Sequence, residues 1–156
     1  MYKKIIKIAL VIVCMTIIFT FSSDTSYEST KKSNKIIITV AEMINKKELS
    51  QKEKDRYINK FVFIVRKSAH FFIYLILGLL VASLIKEYSL VNKRMVIYSF
   101  LICFLYAISD EIHQLFVNGR SGEIRDILID SMGSLVGIVI YYLIRRRKNE
   151  QKKTIC

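Results

Sequence analysis

The residues best equipped for chemistry fall into three short groups, each set in or against apolar sequence. Lys67, His70, Tyr74 and Gly78 recur at intervals of three and four, which puts them on one stripe of one helix. The segment Asp110-Glu111-Ile112-His113-Gln114 closes a second apolar run. In a helix, Asp110, His113 and Gln114 share a face with Tyr106 one turn earlier, and Glu111 is turned roughly 100° away. The third group runs from Asn118-Gly119-Arg120-Ser121-Gly122 through Arg125-Asp126 to Asp130. Asp126, Asp130, Gly133 and Gly137 again keep helical spacing, so Asp130 shares a face with a small-xxx-small pattern that lets another helix approach. An ionisable group at membrane depth costs on the order of 3 kcal/mol, so such groups face inward and find partners.

Two chemistries fit these groups. In the first, Lys67 and Arg120 bind the phosphate of an anionic lipid or lipid-linked precursor, the arginine bidentately, and Tyr74, Gln114, Asp126 and Asp130 complete the ligand site. In the second the chain is a membrane-embedded hydrolase or transferase acting on a phospholipid or lipid-linked envelope precursor. His70 or His113 is then general base or nucleophile, oriented by Asp110 or Glu111, and the cations stabilise developing negative charge. Neither a Ser or Cys nucleophile motif nor an HExxH spacing is present. No cofactor is expected, although histidine with several carboxylates leaves a divalent metal open. A third reading makes the same groups a polar network that only fixes helix packing.

What must position these groups is a set of apolar helices. Of 156 residues, 53% are hydrophobic, yet 25 Lys and Arg against 13 Asp and Glu give a net charge of +12. Both extremes in one chain imply long apolar runs separated by charged stretches. Proline is absent and there are five glycines, which favours long helices over a loop-rich or all-β chain. About 18 apolar residues are needed to cross roughly 30 Å of hydrocarbon. Ile5 to Phe21, with Lys7 snorkelling at its edge, Ala69 to Ile85, and Ile127 to Ile144 meet or approach this. Met95 to Ser109 reaches it only if the helix continues through Asp110 to Phe116. These runs are apolar on all sides, as helical spans are and barrel strands are not.

The expected fold is therefore all-α, an integral membrane four-helix bundle. Its parts are a first span over 1–22, an extracytoplasmic loop over 23–60, a core with three spans over 61–144, and a basic cytoplasmic tail over 145–156. Within the loop, Ile36, Ile37, Val40 and Ile44 lie opposite Lys35, Glu42 and Lys46, which predicts a short amphipathic helix on the membrane surface. Glu48 to Lys60 reads as a solvated helix, and Phe61 to Val65 as an outward extension of the second span. Lys and Arg divide almost evenly between the two sides, and the run Arg145-Arg146-Arg147-Lys148 against the last span places both termini in the cytoplasm. The segment after span one offers no clean signal-peptide cleavage site. Cys14, Cys103 and Cys156 are odd in number with two in apolar runs, which argues against a disulfide framework. The positive charge fits anionic lipid rather than nucleic acid, because no basic stripe with stacking aromatics stands apart from the spans. Membrane lipids are the expected partners, and the sequence leaves the oligomeric state open.

The pattern Arg66-Lys67-x-x-His70-x-x-x-Tyr74-x-x-Leu77-Gly78, then Asp110-Glu111-x-His113-Gln114-x-Phe116-x-x-Gly119-Arg120, then Asp126-x-x-x-Asp130-x-x-Gly133-x-x-x-Gly137 resembles the VanZ-like membrane proteins. Order and spacing agree over roughly residues 60 to 144, and the Phe21-Ser22-Ser23 end of span one is also in keeping. Two positions depart: Asp130 stands where the family usually has Asn, and Asn118 where it often has Pro. The resemblance implies a multi-pass protein of the bacterial cytoplasmic membrane and cell envelope. It also implies a contribution to glycopeptide (teicoplanin) resistance.

Overall fold

The computed structural model describes residues 2–88 and 92–155; the expected basic tail extends to Cys156, which lies outside them, as do the side chains of Lys148, Lys152 and Lys153. Five helices follow one another: α1 (Tyr2–Ser22), α2 (Ser26–Asn45), α3 (Gln51–Lys86), α4 (Asn92–Gln114) and α5 (Ile124–Ile155). All but α2 are long and apolar enough to cross a membrane. The third span does reach full length by carrying its helix through Asp110 to Gln114. The bundle is thus all-α, with four spans and an amphipathic helix between the first two.

Packing differs from that of a water-soluble bundle in its polar interior positions and its apolar exterior. Ser99, Asp110, Gln114, Asp130, Ser131 and Ser134 are buried, while Phe72, Leu105, Leu128 and Met132 lie on the outside. An outward apolar belt around polar interior positions is what a hydrocarbon solvent selects, since lipid satisfies no hydrogen bond. Tyr74, Leu77 and Val81 of α3 pack with Val11, Cys14 and Ile18 of α1 and with Cys103 and Ala107 of α4. Ala82, Met95 and Ile138 form a second cluster nearer the other end.

The closest approach is between α3 and α5. A Cβ added at Gly78 would collide with the Ser134 carbonyl, one at Gly133 with that of Phe71, and one at Gly137 with that of Leu75. These glycines therefore set the spacing of the two helices that carry His70 and Asp130.

The loop helix α2 differs from its expected form. It is 20 residues long, opened by a capping box between Thr25 and Glu28 and closed by Lys46 in the left-handed conformation (φ 52°). It packs against α3 through Ser33, Ile37 and Ala41, whereas Ile36, Val40 and Ile44 point outward. Glu53 caps α3 by accepting from the Ser50 N–H (2.9 Å) and hydroxyl (2.7 Å). With 36 residues, α3 is about 54 Å long, so its first turns rise beyond roughly 30 Å of hydrocarbon and pack with α2.

At the far end Lys7 does not snorkel to headgroups. It donates to Glu87 (2.5 Å) and to the Ser83 carbonyl (3.1 Å), tying α1 to the end of α3. Hydrogen bonding to Lys7 holds the Glu87 carboxyl below its ordinary range.

Candidate functional site

The polar groups collect at one end of the bundle, where α1 ends, α4 ends, α5 begins and α3 passes through. Helix ends leave carbonyl and N–H groups without intrahelical partners, and side chains answer several of them here. Arg120, in the α4–α5 loop, donates from Nε to the Asp24 carbonyl (2.9 Å) and from Nη2 to the Phe21 carbonyl (3.2 Å), closing the C-terminus of α1. Its Nη1 donates to Gln114 Oε1 (2.8 Å), and Gln114 Nε2 donates to Asp110 Oδ2 (3.3 Å). Burial and the neighbouring Arg66 guanidinium push the Arg120 pKa down, opposed by Asp24, Asp110 and Glu111. Gly119 takes φ 75°, in the left-handed region, to bring the loop across to the start of α2.

Glu111 accepts the N–H of Glu123 (2.6 Å) immediately before α5, a carboxylate at a helix N-terminus. Asp126, in the first turn of α5, forms an ion pair with Lys67 of α3. Deeper by one turn, His70 Nδ1 lies 3.6 Å from Asp130 Oδ1. Donor atoms of His70, Asp110 and Asp130 all fall within 4.8 Å of one another. Asp130 is 1% exposed and Asp110 3% exposed. Neither Asp130 oxygen nor Asp110 Oδ1 has a hydrogen-bond partner. Tyr74 is fully buried beneath, with its ring 6.2 Å from that of Tyr106.

The structure thus divides the residues singled out in the sequence. His70, Asp110 and Asp130 converge from three helices, with Tyr74 beside Asp110. Lys67, Gln114, Arg120 and Asp126 line a polar recess of about 230 Å³ above them. His113 turns toward α1 instead, where it stacks on Phe19 (4.4 Å between centroids) and meets Ser23 Oγ at 3.1 Å. Glu111 is engaged at the start of α5.

Two participants were not among the candidate site residues. The end of α1 contributes its carbonyls and the buried Ser22 hydroxyl, and the hint was the unfilled bonding capacity of any helix C-terminus. Arg66 stood in the sequence only beside Lys67 at the head of the family-like pattern. It lines both the polar recess and an adjoining, mostly apolar groove of about 480 Å³ between α2 and α3, which His70 and Arg120 also line.

Residues 7–145 match the family model described as VanZ/LLP1. No curated protein and no solved structure matches the chain.

Proposed function

The chain belongs to the VanZ/LLP1 family, and from that premise we propose that it binds an anionic lipid or lipid-linked phosphate at the outer leaflet of a bacterial membrane. The observation that carries this reading is the position of Arg66 and Arg120, which both line the polar recess and the apolar groove beside it. An amphiphile with a phosphate head and an acyl or prenyl chain has the same two parts in the same order. Arg120 keeps N–H groups beyond the three that bind Gln114, Asp24 and Phe21. Arg66 makes no ion pair or hydrogen bond among the described residues, so its donors can take a phosphate acceptor. Lys67 is neutralised by Asp126 and serves to shape the recess. In the cell, both termini are cytoplasmic and the bound lipid belongs to the envelope, with teicoplanin susceptibility as the physiological readout.

The test is native mass spectrometry of the full chain with phosphatidylglycerol, a polyprenyl phosphate and phosphatidylcholine. The anionic lipids are retained and the zwitterionic one is not. Arg66→Glu lowers anionic-lipid affinity at least tenfold, about 1.4 kcal/mol or more. Because Arg66 has no partner to lose among the described residues, unchanged retention in that folded variant overturns the reading. Arg120→Glu has the same expected effect with an added loss of stability, since it also opens the α1 end. Hydrolysis or group transfer on the bound lipid is the second reading, favoured by His70 lining the groove. Turnover that His70→Ala abolishes with binding intact would select it.

A further inference from the structure

We propose that His70, Asp110 and Asp130 form a binding site for a divalent transition-metal ion, opening on the apolar groove through His70. This site stands whether or not the groove takes a lipid. Three donors from three helices converge within 4.8 Å, and two of the side chains are almost fully enclosed. Both oxygens of Asp130 and one of Asp110 have no hydrogen-bond donor. Buried carboxylate oxygens are expensive when unsatisfied, and a membrane interior makes the shortfall worse. A cation at the centre of the three supplies what the protein omits.

The spacing of the donors suits a metal site. His70 Nδ1 and Asp130 Oδ1 are 3.6 Å apart, beyond a direct hydrogen bond. Two donors at about 2.1 Å from a tetrahedral ion stand about 3.4 Å from each other, so this pair is already close to that spacing. The hydroxyls of Tyr74 and Ser22 stand beside Asp110, and either could approach as a further oxygen donor. Charge agrees with geometry. Asp110, Glu111, Asp126 and Asp130 lie close enough to interact electrostatically, and the nearby cations Arg66, Lys67 and Arg120 are fewer than these four carboxylates. One imidazole with two carboxylates is a mixed nitrogen and oxygen set, which suits Zn²⁺ or Mn²⁺ better than Ca²⁺ or Mg²⁺. Three protein donors leave a coordination position for water or for a phosphate oxygen.

The experiment uses the full chain in detergent, with any purification tag removed, stripped with chelator and re-equilibrated with Mn²⁺ or Zn²⁺. Near-stoichiometric uptake is expected from metal analysis. Mn²⁺ bound to the protein shows electron spin-echo modulation from one imidazole nitrogen, and Zn²⁺ displaces it. His70→Gln removes the nitrogen signature, and Asp130→Asn lowers affinity at least tenfold, because even outer-shell partners are worth about 10–100-fold. His113→Gln leaves both unchanged. Folded wild-type protein that takes up neither ion overturns the proposal, as does Mn²⁺ bound without nitrogen modulation. Should the substituted proteins fail to fold, the wild-type nitrogen signal decides by itself, since two histidines are present and His113 Nε2 is engaged with Ser23 on the α1 side.

Discussion

At the scale of single residues, Asp130 concentrates the tension between stability and use. Its side chain is enclosed with both oxygens unsatisfied, a condition that costs on the order of 1–3 kcal/mol per group. Asparagine has nearly the same shape, no charge, and an amide that can donate to a neighbouring carboxylate. In chelator-treated protein Asp130→Asn should therefore raise thermal stability, by about 1–3 kcal/mol. With Mn²⁺ or Zn²⁺ present that advantage should shrink or reverse, because the wild type gains the larger linkage term from a bound ion. Melting curves of both proteins with and without metal check the two signs together. A variant that is less stable in every condition would mean that the Asp130 carboxylate is a packing group with no ligand to hold.

At the scale of elements, the approach of α3 to α5 decides whether His70 and Asp130 meet. Gly78, Gly133 and Gly137 each face a carbonyl of the opposite helix, and a methyl group there has no flexible neighbour to displace. Gly137→Ala should cost about 1–3 kcal/mol in detergent unfolding, the usual range for overpacking. Gly122→Ala is the contrast, since its Cβ would press only on the movable Leu115 side chain, and its cost should be small. A Gly137→Ala protein as stable as Gly122→Ala would refute the role given to the α3–α5 contact. Most of this architecture was legible from sequence because apolar span length is a strong signal and helical spacing orders residues within one stripe. The outward face of α2 was not, since hydrophobic periodicity marks an apolar stripe without saying whether protein or lipid covers it. Ile37 met α3 while Ile36, Val40 and Ile44 did not. The partition of the two histidines was hidden for a similar reason. Spacing puts His113 on the face of Asp110, but only the position of α1 brings Phe19 and Ser23 to receive it.

At the scale of the whole molecule, the two ends of the bundle differ in what they do with charge. The end bearing Arg145, Arg146 and Arg147 leaves them exposed just past the last span, where they suit a cytoplasmic leaflet rich in anionic lipid. The opposite end balances Lys67 against Asp126 and closes α1 with Arg120, and it carries α2 with Lys31, Lys32 and Lys35 beside outward-facing Ile36, Val40, Met43 and Ile44. A helix with cations beside an apolar edge is built to lie in a headgroup layer. Both ends are basic, so charge counting alone separates them weakly, and the sidedness must be read from accessibility. Single cysteines in a background with Cys14, Cys103 and Cys156 changed to serine provide that reading in intact cells. A cysteine at Glu48, exposed between α2 and α3, should react with a membrane-impermeant maleimide before lysis. One at Lys93, exposed at the start of α4, should react only after it. The reverse pattern would put the Arg66 and Arg120 recess on the cytoplasmic leaflet. The lipid offered to it would then be an inner-leaflet phospholipid or a precursor before its transfer across the membrane.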